Sequence, residues 1–228
     1  MPEPVRIALV GATGMVGHTA LFVLSERRSF PIDLRVFATE RSKRRALPFG
    51  DGTVAVEAIP DTPPDVDFAL FAAPGEVARE LAPLWANAGI HIVDNSSEFR
   101  MTEGVPLVVP EVNAEAIAHA GRLIANPNCS TIQLAVAVAP LERAFGIEDL
   151  SVATYQSVSG AGAEVVERWQ LEVDGGHGGR SPLPAPIHGN VIPSIGEEDE
   201  HCRYTTEEHK MLSELPKILG RDLSVSVT

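Results

Sequence analysis

The first regular segment of the chain reads Val5-Arg6-Ile7-Ala8-Leu9-Val10-Gly11-Ala12-Thr13-Gly14-Met15-Val16-Gly17. Its first six residues are mostly apolar, which favours a strand buried in a parallel sheet. The glycine turn leads into a segment with Leu21, Val23 and Leu24, which predicts a helix ending near Arg27 and Arg28. A strand, a glycine turn and a helix in this order are the context of a dinucleotide-binding fingerprint.

The three glycines of this turn would have separate roles in such a fingerprint. Gly11 permits the tight turn, and Gly14 lets backbone amides approach a pyrophosphate at the helix N-terminus. Gly17 allows the helix to pack closely on the strand. The spacing is G-x-x-G-x-x-G, a variant of the commoner pattern. The competing interpretation is a glycine turn of purely structural use.

The alternation of strand and helix continues after this unit. Strands are predicted at residues 32–38, 54–56, 66–73 and 91–94, and a helix at residues 76–87. This order predicts an α/β fold with a Rossmann-type, doubly wound parallel sheet. Ligands in such a sheet bind at the carboxyl ends of the strands, where residues 72–75 and 95–97 fall.

The segment that follows the second predicted strand bears on the choice of cofactor. It reads Thr39-Glu40-Arg41-Ser42-Lys43-Arg44-Arg45. A carboxylate such as Glu40 would bind a ribose 2′-hydroxyl, whereas arginines accommodate a 2′-phosphate. Arg41 can hold phosphate with two hydrogen bonds and Ser42 adds a donor, so the phosphorylated cofactor NADP is favoured. A solvated charged loop would be compatible with either cofactor.

A candidate nucleophile lies further along the chain, in Asn126-Pro127-Asn128-Cys129-Ser130-Thr131. The apolar run at residues 132–141 predicts a helix, which Pro140 should interrupt. Asn128 is suited to cap the start of this helix. Cys129 would then lie in the first turn, where the partial positive charge of the helix terminus favours the thiolate, the form that attacks carbonyl carbon. The alternative is a small buried core cysteine.

Composition excludes several classes of protein. The chain has 228 residues and a formal net charge of −13, which argues against a nucleic-acid partner. No apolar run has the length of a membrane span, and the N-terminus does not resemble a secretory signal. Cys129 and Cys202 form no disulfide framework, so we expect a reducing, cytoplasmic location. The acidic run at residues 197–200 favours a solvated face over a metal site.

The second half is predicted to mix strands and helices. Residues 150–157 alternate like a strand and lead into a second glycine-rich turn at 159–163 and a helix. This turn could bring backbone amides to a ligand, or it could be structural. A further helix is predicted from residues 206–210 to about Gly220, with a threonine as its N-cap.

Several of these segments together resemble aspartate-semialdehyde dehydrogenase. The resemblance runs in order along nearly the whole chain and is least typical at residues 174–189. The segments that carry it are Gly11-Ala12-Thr13-Gly14-Met15-Val16-Gly17, Asp94-Asn95-Ser96-Ser97-Glu98-Phe99-Arg100, Val108-Val109-Pro110-Glu111-Val112-Asn113, Asn126-Pro127-Asn128-Cys129-Ser130-Thr131, Tyr155-Gln156-Ser157-Val158-Ser159-Gly160-Ala161-Gly162 and Asn190-Val191-Ile192-Pro193.

The resemblance implies a role for each matching residue. Cys129 would form the acyl-enzyme thioester, and Gln156 and Glu207 would hold the amino-acid part of the substrate. Arg100 and Lys210 would bind phosphate, with Asn128 beside them. NADP would contact the residues of the glycine turn and of two later loops: Gly11, Thr13, Gly14, Met15, Val16, Arg41, Ser42, Ser159 and Gly160. No metal is implied.

The resemblance also implies a reaction and an organisation. L-aspartyl 4-phosphate would be reduced with NADPH to L-aspartate 4-semialdehyde and phosphate, in the synthesis of lysine, threonine and methionine. Residues 1–127 would bind NADP, and residues 128–228 would form an α+β catalytic and dimerisation domain. The protein would be a homodimer or a dimer of dimers.

The C-terminal end departs from the family pattern. Leu223-Ser224-Val225-Ser226-Val227-Thr228 alternates like a strand that should continue. The family places an arginine for the substrate carboxylate and a histidine general acid/base beyond this strand, and none of the seven histidines matches that position. We therefore expect a C-terminally truncated domain and poor turnover, because loss of a general base typically costs about 10²- to 10⁴-fold.

Two other functions compete with this interpretation. One is a related acyl-phosphate reductase, such as N-acetyl-γ-glutamyl-phosphate reductase, against which Gln156 and the turn after it argue. The other is a non-catalytic module for NADP binding or dimerisation. Retention of Cys129, Arg100, Gln156 and Lys210 argues against the module.

Overall fold

The computed structural model describes residues 3–27, 29–176, 183–193, 195–198 and 204–228. Arg28, Cys202 and the last two residues of the acidic run at 197–200 therefore lie outside the described residues. The chain divides into two compact units, Met1–Asn128 and Cys129–Thr228.

The first unit is built on a sheet of seven strands. In chain order these are β1 (Val5–Val10), β2 (Ile32–Ala38), β3 (Ala46–Phe49), β4 (Gly52–Ala58), β5 (Phe68–Phe71), β6 (His91–Asp94) and β7 (Leu123–Ala125). They lie in the order β3-β4-β2-β1-β5-β6-β7, and only the pairing of β3 with β4 is antiparallel. The helices are α1 (Met15–Glu26), α2 (Gly75–Asn87) and α3 (Pro110–Asn113).

The side chains of β1 show that both faces of this sheet are covered. Ala8 and Val10 belong to a core cluster with Trp85 and other residues of α2. Leu9, between them in sequence, belongs to a second cluster with Leu21 of α1. Because alternate side chains of a strand point to opposite faces, α1 and α2 cover opposite faces of the sheet. This arrangement confirms the predicted doubly wound fold.

The strand order reverses between β1 and β5, and the glycine turn lies at that point. The amides of Gly11 and Ala12 both donate to the carbonyl of Phe37, at 2.8 and 3.1 Å. Gly11 has φ +85°, and a Cβ atom added there would lie 2.3 Å from the carbonyl oxygen of Ala72. Only glycine fits this turn, because the left-handed conformation and the backbone contact both exclude a side chain.

The second unit contains α4 (Cys129–Phe145), β8 (Asp149–Val152), α5 (Ala163–Val173), α6 (Thr206–Leu219) and β9 (Ser224–Val227). β8 and β9 pair in parallel, and α4 packs against α6. The threonine that caps α6 is Thr205, one residue before the segment predicted to open the helix; its hydroxyl accepts from the amide of Glu208 while that glutamate accepts from the amide of Thr205. This reciprocal pair is a capping box.

Two sequence-based predictions of secondary structure were wrong in detail, and one strand was missed. Pro140 does not interrupt α4, which continues to Phe145. Proline denies the carbonyl of Val136 its helical partner, but Val136 is 43% exposed, so water can solvate that carbonyl. The strand predicted at residues 150–157 ends at Val152, and the antiparallel strand β3 was not predicted.

Within the described part of the chain, no helix has the length and apolar character that crossing a membrane requires.

The packing of the glycine turn predicts an effect on stability. A Cβ at Gly17 would lie 2.3 Å from the carbonyl oxygen of Gly11, whereas a Cβ at Gly14 would have its nearest neighbour at 3.4 Å. We expect Gly17→Ala to lower the free energy of unfolding by about 1–3 kcal/mol, as overpacking does. Gly14→Ala, the matched control, should cost a few tenths of a kcal/mol. Urea unfolding of both variants measures the difference, and equal midpoints would contradict this account of the turn.

Candidate active site

The start of α1 is open to a ligand. The N-cap of this helix is Gly14, which has no side chain to satisfy the first free amides. Met15 and Val16 in the first turn are 37% and 49% exposed, and Thr13 is half-buried. Free amides and the helix dipole favour a negatively charged group at this position. The turn therefore fits the pyrophosphate of a dinucleotide, since the absent side chains also let its backbone come close.

Arg41 and Ser42 lie beside this turn at the same edge of the sheet. They belong to a 3-10 turn, Glu40–Ser42, that follows β2, the neighbour of β1 in the sheet. Glu40, the residue that would bind a ribose hydroxyl, forms an ion pair with Lys43 at 3.3 Å. Arg41 is exposed. The exposed guanidinium of Arg41 therefore offers hydrogen-bond donors at this edge of the sheet.

Arg100 lies at the carboxyl ends of β6 and β7. Its Nε donates to the carbonyl of Asn126 at 3.0 Å and its Nη2 donates to the carbonyl of Asn95 at 3.1 Å. The side-chain amide of Asn126 donates to Asn95 Oδ1 at 2.8 Å. Arg100 is only 8% exposed, so a full positive charge is held in a largely desolvated position. Such a charge interacts strongly with any anion that approaches it.

Asp94 supports the loop in which Arg100 is anchored. Its carboxylate is fully buried and accepts from the amide of Ser96 at 3.1 Å and from the hydroxyl of Ser96 at 2.7 Å. Burial raises the pKa of Asp94, and the two bonds from Ser96 and the charge of Arg100 act against that rise. The hydroxyl of Ser96 also accepts from the amide of Glu98 at 3.2 Å. Asp94 thus shapes the segment between β6 and Arg100.

Cys129 is the first residue of α4 and is exposed as a free thiol. Its neighbours Asn128 and Ser130 are buried, at 7% and 8% exposure, and Thr131 is fully buried. The chain therefore presents Cys129 alone to solvent at this point. The alternative that Cys129 is a buried core residue was wrong.

A pocket of about 510 Å³ in the second unit contains two of the residues predicted to bind substrate or cofactor. Gln156 and Ser159 line it, and Gly160 follows Ser159 in the 3-10 turn Val158–Ala161. Residues of α5 and of a segment around Asn190 also line it. The remaining lining residues are Ser157, Val158, Val166, Trp169, Ile187, Gly189, Asn190 and Val191.

Glu207 and Lys210 lie one turn apart on α6 and form an ion pair. Both side chains are partly buried, at 21% and 32% exposure. The resemblance assigns Glu207 to the amino group of a substrate and Lys210 to phosphate. In this structure each of them already has an opposite charge beside it, which lowers the electrostatic cost of holding both in a partly buried position.

The structure groups the predicted site residues within each unit. In the first unit the glycine turn, Arg41 and Ser42 share the carboxyl edge of the sheet, and Arg100 lies at the carboxyl ends of β6 and β7. In the second unit Gln156 and Ser159 share a pocket. Sequence reasoning missed Trp169 as a lining residue of that pocket. Its position in an amphipathic helix was the only available signal, and that signal does not distinguish a pocket from a core.

Two family models match the chain and together cover most of it. Residues 6–120 match the NAD binding domain of semialdehyde dehydrogenases. Residues 138–228 match the semialdehyde dehydrogenase dimerisation domain. Fold and family models thus define a nicotinamide-dependent oxidoreductase of the semialdehyde dehydrogenase class.

Individual relatives narrow this class. Aspartate-semialdehyde dehydrogenase of Aquifex aeolicus is 43% identical over 98% of this chain and 68% of its own length. Aspartate-semialdehyde dehydrogenase 2 of Vibrio cholerae is 43% identical over 100% of this chain and 69% of its own. The crystal structure of the Vibrio cholerae enzyme II complexed with ASA superposes with a TM-score of 0.91 at 42% identity, covering 100% of this chain and 70% of the other. The chain belongs to the aspartate-semialdehyde dehydrogenase family.

Proposed function

We propose that this chain catalyses the NADPH-dependent conversion of L-aspartyl 4-phosphate to L-aspartate 4-semialdehyde and phosphate through a thioester on Cys129. The observation that carries this proposal is the exposed thiol of Cys129 at the first residue of α4, in a chain of this family. A helix N-terminus favours the thiolate electrostatically. A thiolate is a strong nucleophile toward the carbonyl carbon of an acyl phosphate.

The first half-reaction forms the thioester. Sγ of Cys129 attacks the C4 carbonyl carbon of aspartyl phosphate, and a tetrahedral oxyanion forms. This intermediate collapses when the bond between C4 and the oxygen that carries phosphorus breaks. Phosphate leaves with the electron pair of that bond. Arg100 and Lys210 would stabilise the leaving phosphate by their positive charge.

The second half-reaction releases the aldehyde. The nicotinamide cofactor supplies a hydride equivalent, and the thioester carbonyl carbon is the group reduced. Cys129 then leaves as a thiolate, which returns the thiol to its starting state. Gln156 and Glu207 would hold the amino-acid part of the substrate in place during both steps, so that the reaction is intramolecular in effect.

The choice of NADP rests on the turn after β2. Arg41 and Ser42 offer donors to a 2′-phosphate. Glu40, the carboxylate that could bind a ribose 2′-hydroxyl instead, is paired with Lys43. Thr13, the first amides of α1, Ser159 and Gly160 would complete the cofactor site. These residues offer hydrogen-bond donors to NADP, and the glycine turn leaves its backbone accessible to the cofactor.

The proposed function extends to assembly and location. The match to a dimerisation domain supports a homodimer, and we assign catalysis and dimerisation to residues 128–228 and cofactor binding to residues 1–127. A free thiol nucleophile requires reducing conditions, which supports a cytoplasmic enzyme. Its product would serve lysine, threonine and methionine synthesis.

The first test follows the reverse reaction from its first turnover. The chain is mixed with aspartate semialdehyde, phosphate and NADP, and NADPH is recorded by stopped-flow absorbance. We expect one NADPH per Cys129 in a burst, because the thioester forms by oxidation of the bound aldehyde. Slow transfer of the acyl group from Cys129 to phosphate would make the steady rate after the burst lower than the rate of the burst.

Cys129→Ser is the variant for this test, and Cys202→Ser is its matched control. Cys129→Ser should abolish the burst, whereas Cys202→Ser should retain it. A wild-type chain that binds NADP yet forms no NADPH would contradict the proposed reaction and favour the non-catalytic module. Acetylglutamyl semialdehyde as an equal or better substrate would favour the related reductase.

The second test concerns cofactor preference. Replacing Arg41 by serine removes a charge-assisted hydrogen bond to the 2′-phosphate, which is worth about 1.5–3 kcal/mol. We expect Arg41→Ser to weaken NADP binding by about 10- to 100-fold and to leave NAD binding unchanged. Fluorescence titration with each cofactor measures both affinities.

Arg27→Ser is the matched control for this variant. Arg27 is also an exposed arginine of the first unit, but it lies at the far end of α1, about 18 Å from the glycine turn by helix geometry. An equal loss of NADP affinity in Arg41→Ser and Arg27→Ser would show a general charge effect and contradict the assignment of Arg41.

A further inference from the structure

One buried carboxylate in the second unit has no part in the chemistry proposed above. Glu172 lies near the C-terminal end of α5 and is 8% exposed, while its neighbours Leu171 and Val173 are 56% and 39% exposed. A negative charge at the C-terminal end of a helix is disfavoured by the helix dipole, and burial adds a desolvation cost. A carboxylate at this position therefore requires compensating contacts.

The compensating contacts of Glu172 are specific. Its Oε2 accepts from the backbone amides of Ile187 and His188, at 2.6 and 2.9 Å. Its Oε1 accepts from Nε of Arg168, one turn earlier on α5, at 2.8 Å. These bonds, with the bond from His188 making the largest contribution, lower the pKa of Glu172 against the effect of burial. One ionised side chain thus joins a helix to a separate segment of backbone.

That segment, residues 186–191, is closed by its own hydrogen bonds. The side-chain amide of Asn190 donates to the carbonyl of Pro186 at 2.8 Å, and the amide of Val191 donates to Asn190 Oδ1 at 2.9 Å. The amide of Asn190 also donates to the carbonyl of Ile187 at 3.3 Å. A segment tied to itself in this way moves as one piece, so its position depends on how its first residues are anchored.

The anchored segment forms a wall of the pocket that contains Gln156 and Ser159. Ile187, Gly189, Asn190 and Val191 line the pocket from this segment, and Val166 and Trp169 line it from α5. Glu172 lies on the same helix as Val166 and Trp169 and holds the amides of Ile187 and His188. Its bonds therefore fix the distance between two walls of the pocket.

We propose that Glu172 is a positioning residue: it anchors residues 187–191 to α5 and thereby sets the shape of the pocket in which Gln156 and Ser159 meet substrate and cofactor. The ligand part of this inference rests on the proposed function. The anchoring part depends only on the contacts of Glu172. The two parts can therefore fail separately.

Three variants test the proposal. Glu172→Gln retains an oxygen acceptor but loses the charge and places an amide group beside Arg168. Glu172→Asp keeps the charge with a shorter reach. Glu167→Gln is the matched control, because Glu167 is an exposed glutamate of the same helix. Each variant is compared with the full chain by hydrogen exchange of residues 183–193, by the semialdehyde KM and by the first-turnover rate at saturation.

The expected result distinguishes a residue that positions the pocket wall from one that takes part in the reaction. In Glu172→Gln the two amides exchange a charged acceptor for a neutral one, so the amides of Ile187 and His188 should exchange about 10-fold faster. The KM for the semialdehyde should rise by about 10-fold while the first-turnover rate changes less than about 3-fold, as expected when binding geometry alone is lost. Glu172→Asp should recover part of both losses, and Glu167→Gln should match the wild type.

Each other outcome overturns part of the inference. Unchanged exchange in Glu172→Gln would show that Glu172 does not anchor the segment. Faster exchange confined to residues 187–191 with an unchanged KM would refute the positioning role. Faster exchange throughout the second unit, with KM and rate both impaired, would indicate general destabilisation instead. A wild-type chain that binds NADP yet forms no NADPH in the first turnover would refute the proposed function, and the exchange data would still decide whether Glu172 anchors the wall.

Discussion

The close approach of two backbone segments at the carboxyl ends of β1 and β5 is the constraint on which the first unit depends. The carbonyl oxygen of Ala72 occupies the space that a side chain on Gly11 would need, 2.3 Å from its Cβ position. The same turn brings Gly17 against the carbonyl of Gly11. Because this contact allows no side chain, the start of α1 is left with bare amides at the point where the strand order reverses. A cleft for a dinucleotide follows from that geometry.

One buried charged side chain in each unit holds segments of backbone in place. Arg100 donates to two carbonyl groups in the first unit, and Glu172 accepts from two amides in the second as well as from Arg168. Hydrogen bonds from backbone groups to a buried charge offset its desolvation and fix the path of the loop that supplies them. In the first unit the loop so fixed leads to Asn128, and in the second it forms a pocket wall. Site geometry in this chain thus depends on a few ionised groups with backbone partners.

Local sequence was sufficient to predict the strands and helices that have a regular pattern of apolar residues or clear start and stop residues. The bounds of β1, β2 and β6 follow from apolar runs ended by glycine or by polar residues, and a threonine cap ahead of acidic residues was recognisable at the start of α6, although not as Thr205 in particular. The sequence pattern gave wrong ends for a strand and a helix where packing and exposure in the folded chain determine those ends. Alternation persists past Val152, but the paired residues of β8 and β9 end at Val152 and Val227. Pro140 is tolerated because the carbonyl that it frees lies on the exposed face of α4.

The sequence allowed us to predict the residues that would carry the chemistry of the candidate site, but not the residues that hold its surroundings in position. Cys129 after an Asn-Pro-Asn turn and the basic turn after β2 are visible in the sequence because the residue types themselves carry the chemistry. Glu172 was not visible, since a glutamate in an amphipathic helix is usually solvated, and its partners lie 15 and 16 residues away in sequence. The ion pair of Glu207 with Lys210 could have been anticipated from their spacing of three residues.

The central claim is that Cys129 carries the acyl group, and trapping that adduct tests it most directly. The chain is incubated with aspartate semialdehyde and NADP without phosphate, quenched in acid, and digested for mass spectrometry. The account predicts an aspartyl thioester on the peptide that contains Cys129, formed in proportion to NADPH and released when phosphate is added. NADPH formation with an unmodified Cys129, or an aspartyl adduct on any other residue, would contradict it.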